Sequence, residues 1–130
     1  MSDVLNKKRR KSVSRTVQPL KKSAARFSEK IPFILSLILN SVDRSIIQKI
    51  YLFGSYAYGR PKKSSDIDIC VVLNDDVDRL GAYLKIAVNL MTNDIIPCDL
   101  LVYNAHVFFN QENPKSIENT IIKYGKVLYE

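Results

Sequence analysis

The sequence predicts an α/β domain built on a single β-sheet. Three observations carry this. Apolar, β-branched runs stand at KIYLF (49–53), DIDICVVL (66–73) and IIPCDLLVY (95–103). Helix-periodic apolar stretches lie before, between and after them. Gly54, the Asp75/Asp76/Asp78 cluster, Asn104, Pro114 and Gly125 punctuate the junctions. The chain has 130 residues, 46% hydrophobic content, 4 Gly and 5 Pro, which suits one domain with its own core and excludes collagen-like and generally disordered chains.

The first element is preceded by a basic segment. Residues 1–30 hold ten Lys/Arg and two acids, whereas residues 31–130 hold ten Lys/Arg and eleven acids. The net charge of +7 therefore belongs to the N-terminal end and not to the body. We expect residues 1–26 to form a flexible basic arm and residues 27–130 to form the domain. The arm could touch nucleic acid, but no aromatic interleaves its charges before Phe27, and a solvated tail is the simpler expectation.

From Phe27 to about Asp43 the pattern is helical, with Ile31, Ile34, Leu35 and Ile38 as a stripe that Phe33, Leu37 and Leu39 widen around the cylinder. Pro32 suits only the first turn of such a helix. So much apolar surface in a small domain predicts burial against the sheet, against a second copy, or against a partner chain. The run 31–39 is about half the roughly 20 residues that span a bilayer, and no cleavage site follows it, so no membrane association is expected.

A strand at 49–53 ends at Gly54. A turn and short helix follow, then the strand 66–73. The next helix runs from Asp78 to about Met91, with Leu80, Leu84, Val88 and Met91 on one face. The strand 95–103 comes next, then a short helix capped by Asn104. A helix opened by Pro114 carries Ile117, Ile121 and Ile122 as its expected buried stripe and ends at Gly125. KVLYE closes the chain as a short strand. Cys70 and Cys98 fall in apolar runs with no zinc-like spacing, which suits two free thiols in a reducing cytoplasm.

Asp66 and Asp68 are anomalous in this pattern. Alternation puts both on one strand face, about 7 Å apart. Like charges that close repel, and a basic side chain or a metal must compensate them. Asp99 is a third carboxylate inside an apolar run. If its strand neighbours 66–73, three acids share one face, an arrangement able to hold two magnesium ions about 4 Å apart. Gly54 allows close backbone approach, and Ser55 adds a hydroxyl where a turn enters a helix, which favours phosphate. Arg60, Lys62 and Lys63 lie on the connection and could neutralise further phosphate charge. His106 has no second His or Cys near it in sequence and reads as a helix-surface residue. Tyr56 and Tyr58 stand beside the site and are candidates for touching a base.

The motif Gly54-Ser55, ten residues, then Asp66-Ile67-Asp68, within LFGSYAYG and SDID and followed by the acid of IPCDLLVY, resembles the minimal nucleotidyltransferase family of the DNA polymerase beta-like superfamily. The resemblance implies a single mixed sheet with flanking helices, the polymerase beta palm-like fold. It implies that Gly54 and Ser55 hold the β- and γ-phosphates of ATP or another nucleoside triphosphate. It implies that Asp66, Asp68 and Asp99 bind Mg2+, with Asp99 completing the metal site or taking the acceptor's proton. A stand-alone chain of this size resembles the antitoxin partner of HEPN-type toxins, members of which adenylylate a tyrosine of the toxin. Two other classes stay open: a non-catalytic module of the same fold that neutralises a partner by contact, and a nucleic-acid-associated factor recruited by the basic arm.

Overall fold

The structure, a computed structural model, describes residues 20–59, 66–95 and 98–130, with side chains from Lys30 onward. Its elements are α1 (Leu20–Ser41), a 3-10 turn (Arg44–Ile46), β1 (Ile47–Phe53), α2 (Ser55–Tyr58), β2 (Ile67–Leu73), α3 (Arg79–Thr92), β3 (Cys98–Asn104), α4 (Ala105–Phe108), α5 (Ile117–Tyr124) and β4 (Lys126–Tyr129). This is the predicted order of helices and strands. The strands form one mixed sheet in the order β3-β2-β1-β4. β1 pairs antiparallel with β2 and β4, while β2 and β3 run parallel. Parallel neighbours need a crossover, and α3 supplies it.

Alternation along β2 divides the core in two. Ile67, Ile69, Val71 and Leu73 face one side, where Ile34 and Ile38 of α1 and Ala82, Ile86 and Leu90 of α3 pack on them. Cys70 and Val72 face the other side, with Tyr51, Phe53, Ala105, Phe108 and Ile121. Phe108 is fully buried, its ring 5.6 Å from that of Tyr51 and 5.3 Å from that of Tyr103. These ring separations lie in the range where tilted aromatic pairs attract.

The helices depart from the sequence expectation in four ways. First, α1 begins at Leu20, so residues 20–26, expected in the arm, lie in the helix and Pro32 falls in its interior. Leu, Lys, Ala and Arg in 20–26 are strong helix formers, and continuation outweighs the one backbone bond that Pro32 removes. Residues 1–19 lie outside the described residues. Second, most of the apolar surface of 31–39 is absorbed by the domain itself. Ile34, Ile38 and Leu39 are buried and Ile31, Leu35 and Leu37 partly so, which leaves Phe33 as the large apolar side chain exposed in that run. Third, α3 turns its Leu80, Leu84, Val88 and Met91 stripe outward, and each is 52–64% exposed. The Asn89 amide donates to the Leu37 carbonyl and to the Ser41 hydroxyl of α1, both at 3.0 Å. Those bonds fix the roll of α3, because an amide left unpaired in that seam would cost about 1–3 kcal/mol. Fourth, α5 buries Ile121 alone of its three isoleucines, and Ile117 and Ile122 are exposed.

α5 is short, and its start depends on a cap. Ser116 accepts the backbone N–H of Asn119 at 3.1 Å. Ser116→Ala is expected to cost about 1 kcal/mol and lower the melting temperature by a few degrees in a thermal melt followed by circular dichroism.

Candidate active site

β1 delivers the chain to the site at Phe53, which stands opposite Asp68 of β2. Gly54 then takes φ 73°, ψ −155°, a conformation that side-chain-bearing residues rarely adopt. Its carbonyl accepts the N–H groups of Ala57 and Tyr58 at 3.0 and 3.1 Å and starts α2. A Cβ at Gly54 would lie against the Asp68 carboxylate, 2.9 Å from its Cγ. The glycine is thus required twice, for the turn and for the room the acid occupies.

Asp68 and Asp99 sit side by side in the parallel register of β2 and β3. The expected neighbourhood of the third acid is therefore met. Burial raises the Asp68 carboxyl to about 6, and a hydrogen bond with Asp99 and repulsion from Asp99 and Asp66 add to it. The Cys98 thiol senses the same cluster. Burial pushes it up to about 12, and Asp68, Asp99 and Asp66 all contribute. Asp68 and Asp99 thus share one end of the sheet, with Asp66 near enough to act on the charge of both Asp68 and Cys98. Among the described residues, no Lys or Arg forms an ion pair with any of the three acids. Nor do three His, Cys, Asp or Glu side chains of the described residues close round one point as a complete metal centre.

The donor set fits magnesium. Hard carboxylate oxygens, too few to coordinate an ion alone, suit a cation that keeps waters and shares its remaining positions with substrate phosphates. The raised carboxyl of Asp68 points the same way, since repulsion among neighbouring acids is what a divalent ion relieves.

Other expected residues fall differently. Ser55 opens α2 directly after the glycine. Arg60, Lys62 and Lys63 lie outside the described residues. Tyr56 is buried within the core on the α1/α3 side of the sheet, which removes it as a base contact. Tyr58 is exposed, and its ring stands 6.1 Å from that of Tyr124, a residue the sequence presents only as packing at a helix end. The antiparallel pairing of β4 with β1 is what brings α5 to α2, and no local signal announces it. His106 is exposed on α4, as expected, and its Nδ1 lies 2.8 Å from Asp75 Oδ1. The His106 backbone N–H and ring hold the Asp75 carboxyl below the usual carboxylate range. Cys98, read from sequence as a plain small hydrophobe, turns out to border the acid cluster.

The comparisons with known proteins agree with this fold. Residues 37–130 match the family described as "Polymerase beta, Nucleotidyltransferase". A candidate protein adenylyltransferase of Methanocaldococcus jannaschii is 35% identical over 94 residues, which span 70% of this chain and 87% of that protein. The protein adenylyltransferase MntA of Shewanella oneidensis is 38% identical over 50 residues, 38% of this chain and 34% of its own length. Among solved structures, a candidate nucleotidyltransferase from Sulfolobus solfataricus shares the fold, with a TM-score of 0.59 at 18% identity over 88% of this chain and 90% of that one. A toxin–antitoxin crystal structure with AMP-PNP aligns with a TM-score of 0.52 at 28% identity, over 74% and 69% of the two chains. With residues 37–130, more than two thirds of its length, in one family match, the chain belongs to the polymerase beta nucleotidyltransferase family.

Proposed function

We propose that this chain is a protein adenylyltransferase that moves AMP from ATP to a hydroxyl, a tyrosine of a HEPN-type toxin partner, and releases pyrophosphate in a reducing cytoplasm. The observation that carries the reading is the pairing of Asp68 with Asp99 across β2 and β3, with Asp68 packed against Gly54 and Asp66 just before it in the chain. The names of the relatives support adenylyl transfer. The neighbour with AMP-PNP supports a nucleoside triphosphate and a toxin–antitoxin setting. Free thiols at Cys70 and Cys98 fit that compartment, and no helix of the described residues is long and apolar enough to cross a membrane.

The residues divide the work as follows. Gly54 leaves the backbone open for the triphosphate, and Ser55 offers its hydroxyl to the phosphate oxygens. Asp66 and Asp68 hold Mg2+, with Asp99 as the third carboxylate. The metal, when bound, offsets the charge of the three acids and of the phosphates. Asp99 is the most exposed of the three and so the one an incoming acceptor reaches. It takes the proton of the acceptor hydroxyl as that oxygen bonds to the α-phosphorus and the α–β bridging bond breaks. Positioning of these groups and charge stabilisation carry the rate.

Incubation of the chain with α-labelled ATP, Mg2+ and a HEPN-type partner is expected to leave label on a partner tyrosine, mapped by mass spectrometry. Unlabelled partner whose ribonuclease activity is nonetheless blocked would favour the contact-only module instead.

A further inference from the structure

α5 ends beside the candidate site, on the face of the sheet that Asp68 shares. Its Ile121 packs with Phe53 and Cys70, and strand alternation puts Cys70 on the Asp68 face. β4 follows at once, with Lys126 opposite Leu52, one residue before the Phe53 that stands opposite Asp68. A Cβ at Gly125 would lie 3.2 Å from the Leu52 carbonyl oxygen. The end of α5 is therefore level with the acids. The strand order β3-β2-β1-β4 puts it on the side of Gly54 away from Asp99.

Three side chains meet there. Tyr58 closes α2, and its N–H donates to the Gly54 carbonyl at 3.1 Å. Its ring stands 6.1 Å from that of Tyr124. The Lys123 ammonium lies 5.3 Å from the centre of the Tyr124 ring, within reach of a cation–π attraction. The two rings are 48% and 55% exposed, so neither is spent on the core. Among the described residues, no acid forms an ion pair with Lys123. The helix dipole favours a lysine in the last turn of α5, but it does not explain why two half-exposed rings join that lysine to α2.

We infer that Lys123, held by the rings of Tyr124 and Tyr58, binds the terminal phosphate of the nucleoside triphosphate and makes the site prefer a triphosphate to a diphosphate. The placement rests on the adenylyltransferase reading above. In that reading the α-phosphate lies at the carboxylates, and the turn at Gly54 and Ser55 takes the phosphates beyond it. Past Ser55 in the same direction come the side chains of Tyr58, Tyr124 and Lys123. The group that arrives there is the γ-phosphate, the most highly charged end of the substrate. An ammonium on a flexible stem suits it as a point charge. A base would have to turn back past its own phosphates to reach the two rings. Tyr58, expected from sequence to touch a base, thus stands at the phosphate end.

Isothermal titration calorimetry with AMP-PNP and with ADP, each with Mg2+, tests this on the full chain and on Lys123→Ala. The substitution is expected to weaken AMP-PNP about tenfold and to change ADP by less than about twofold, because only the triphosphate reaches the lysine. Lys123→Arg is expected to keep the preference. Tyr124→Leu, which removes the ring that holds the ammonium, is expected to lose about threefold for AMP-PNP alone. Lys126→Ala is the control. Lys126 is paired with Leu52, which packs on the α1/α3 side, so this change removes the same charge from the opposite face of the sheet. Both affinities should then match the parent. All three substituted side chains are exposed, so the fold is retained. Undiminished AMP-PNP binding by Lys123→Ala overturns the inference and leaves the adenylyltransferase reading standing. So does an equal loss for AMP-PNP and ADP in Tyr124→Leu, the result of a base stacked on the rings, or an equal loss in Lys126→Ala. A parent chain that binds neither nucleotide overturns both.

Discussion

Asp68→Asn is expected to abolish adenylyl transfer while making the metal-free protein more stable. Both effects come from one fact, that Asp68 carries its charge at a site where burial, Asp99 and Asp66 all oppose it. Its carboxyl is raised to about 6, whereas an unfolded chain releases that proton near about 3.9. Between those values the folded protein binds more protons than the unfolded one, so this group's contribution to stability falls as pH rises through the window. Above pH 6 the whole penalty is present. Discounted for solvent screening at a partly buried group, it is on the order of 1 kcal/mol. The amide has the same shape without the charge, so the variant should melt a few degrees higher at pH 7.5 without metal. Transfer should fall by about 1000-fold or more, since the charge that destabilises the empty protein is the one the metal needs. In the parent protein, magnesium affinity should rise with pH through 6 as the competing proton leaves. Retained transfer, or a variant that melts lower than the parent, would contradict this account of Asp68.

Gly54→Ala is the second large effect. The backbone there has φ 73° and ψ −155°, and a new Cβ would meet the Asp68 carboxylate, with Cγ at 2.9 Å and Cβ at 3.3 Å. The strain of that conformation costs about 1–3 kcal/mol by itself. Relieving the clash moves Asp68 away from Asp99, and misplacement of a metal-bearing group by about 1 Å costs on the order of 100-fold in rate. The variant should therefore lose stability and transfer together. Gly81→Ala is the control. It sits in the first turn of α3, where the new Cβ meets only the side chain of Asp78. That carboxylate can swing aside, and Ala favours the helix by up to about 1 kcal/mol. Transfer by Gly81→Ala should match the parent. If Gly54→Ala and Gly81→Ala behave alike in both melts and kinetics, the glycine at 54 is only a turn and not part of the site.

Much of the candidate site is legible in the sequence because its residues break the pattern around them. Asp68 stands inside an apolar strand, and turn chemistry does not account for it. Alternation then places Asp66 and Asp68 on the face opposite Ile67 and Ile69, and the two-sided core of the sheet has this division. Asp99 was legible only conditionally. Its own run says strand, but the register that sets it beside Asp68 is a long-range pairing. The faces of the helices were less legible, for a physical reason. An apolar stripe shows which residues could be buried, whereas polar groups that must find partners decide the roll. Asn89 made that choice for α3 through its bonds to Leu37 and Ser41, and left Leu80, Leu84, Val88 and Met91 outside. Tyr56 shows the same limit at a single position, since its neighbours in sequence flank the site while its ring enters the core.

In the proposed function, the three carboxylates and the Gly54 turn form a seat for a divalent cation carrying a triphosphate. Isothermal titration calorimetry with a non-hydrolysable ATP analogue tests it most directly, with and without Mg2+, on the parent chain and on Asp66→Asn/Asp68→Asn. Saturable, one-to-one uptake by the parent that requires Mg2+ and disappears in the double variant is expected. Uptake that ignores Mg2+, or that survives the loss of both aspartates, would show that the nucleotide binds elsewhere.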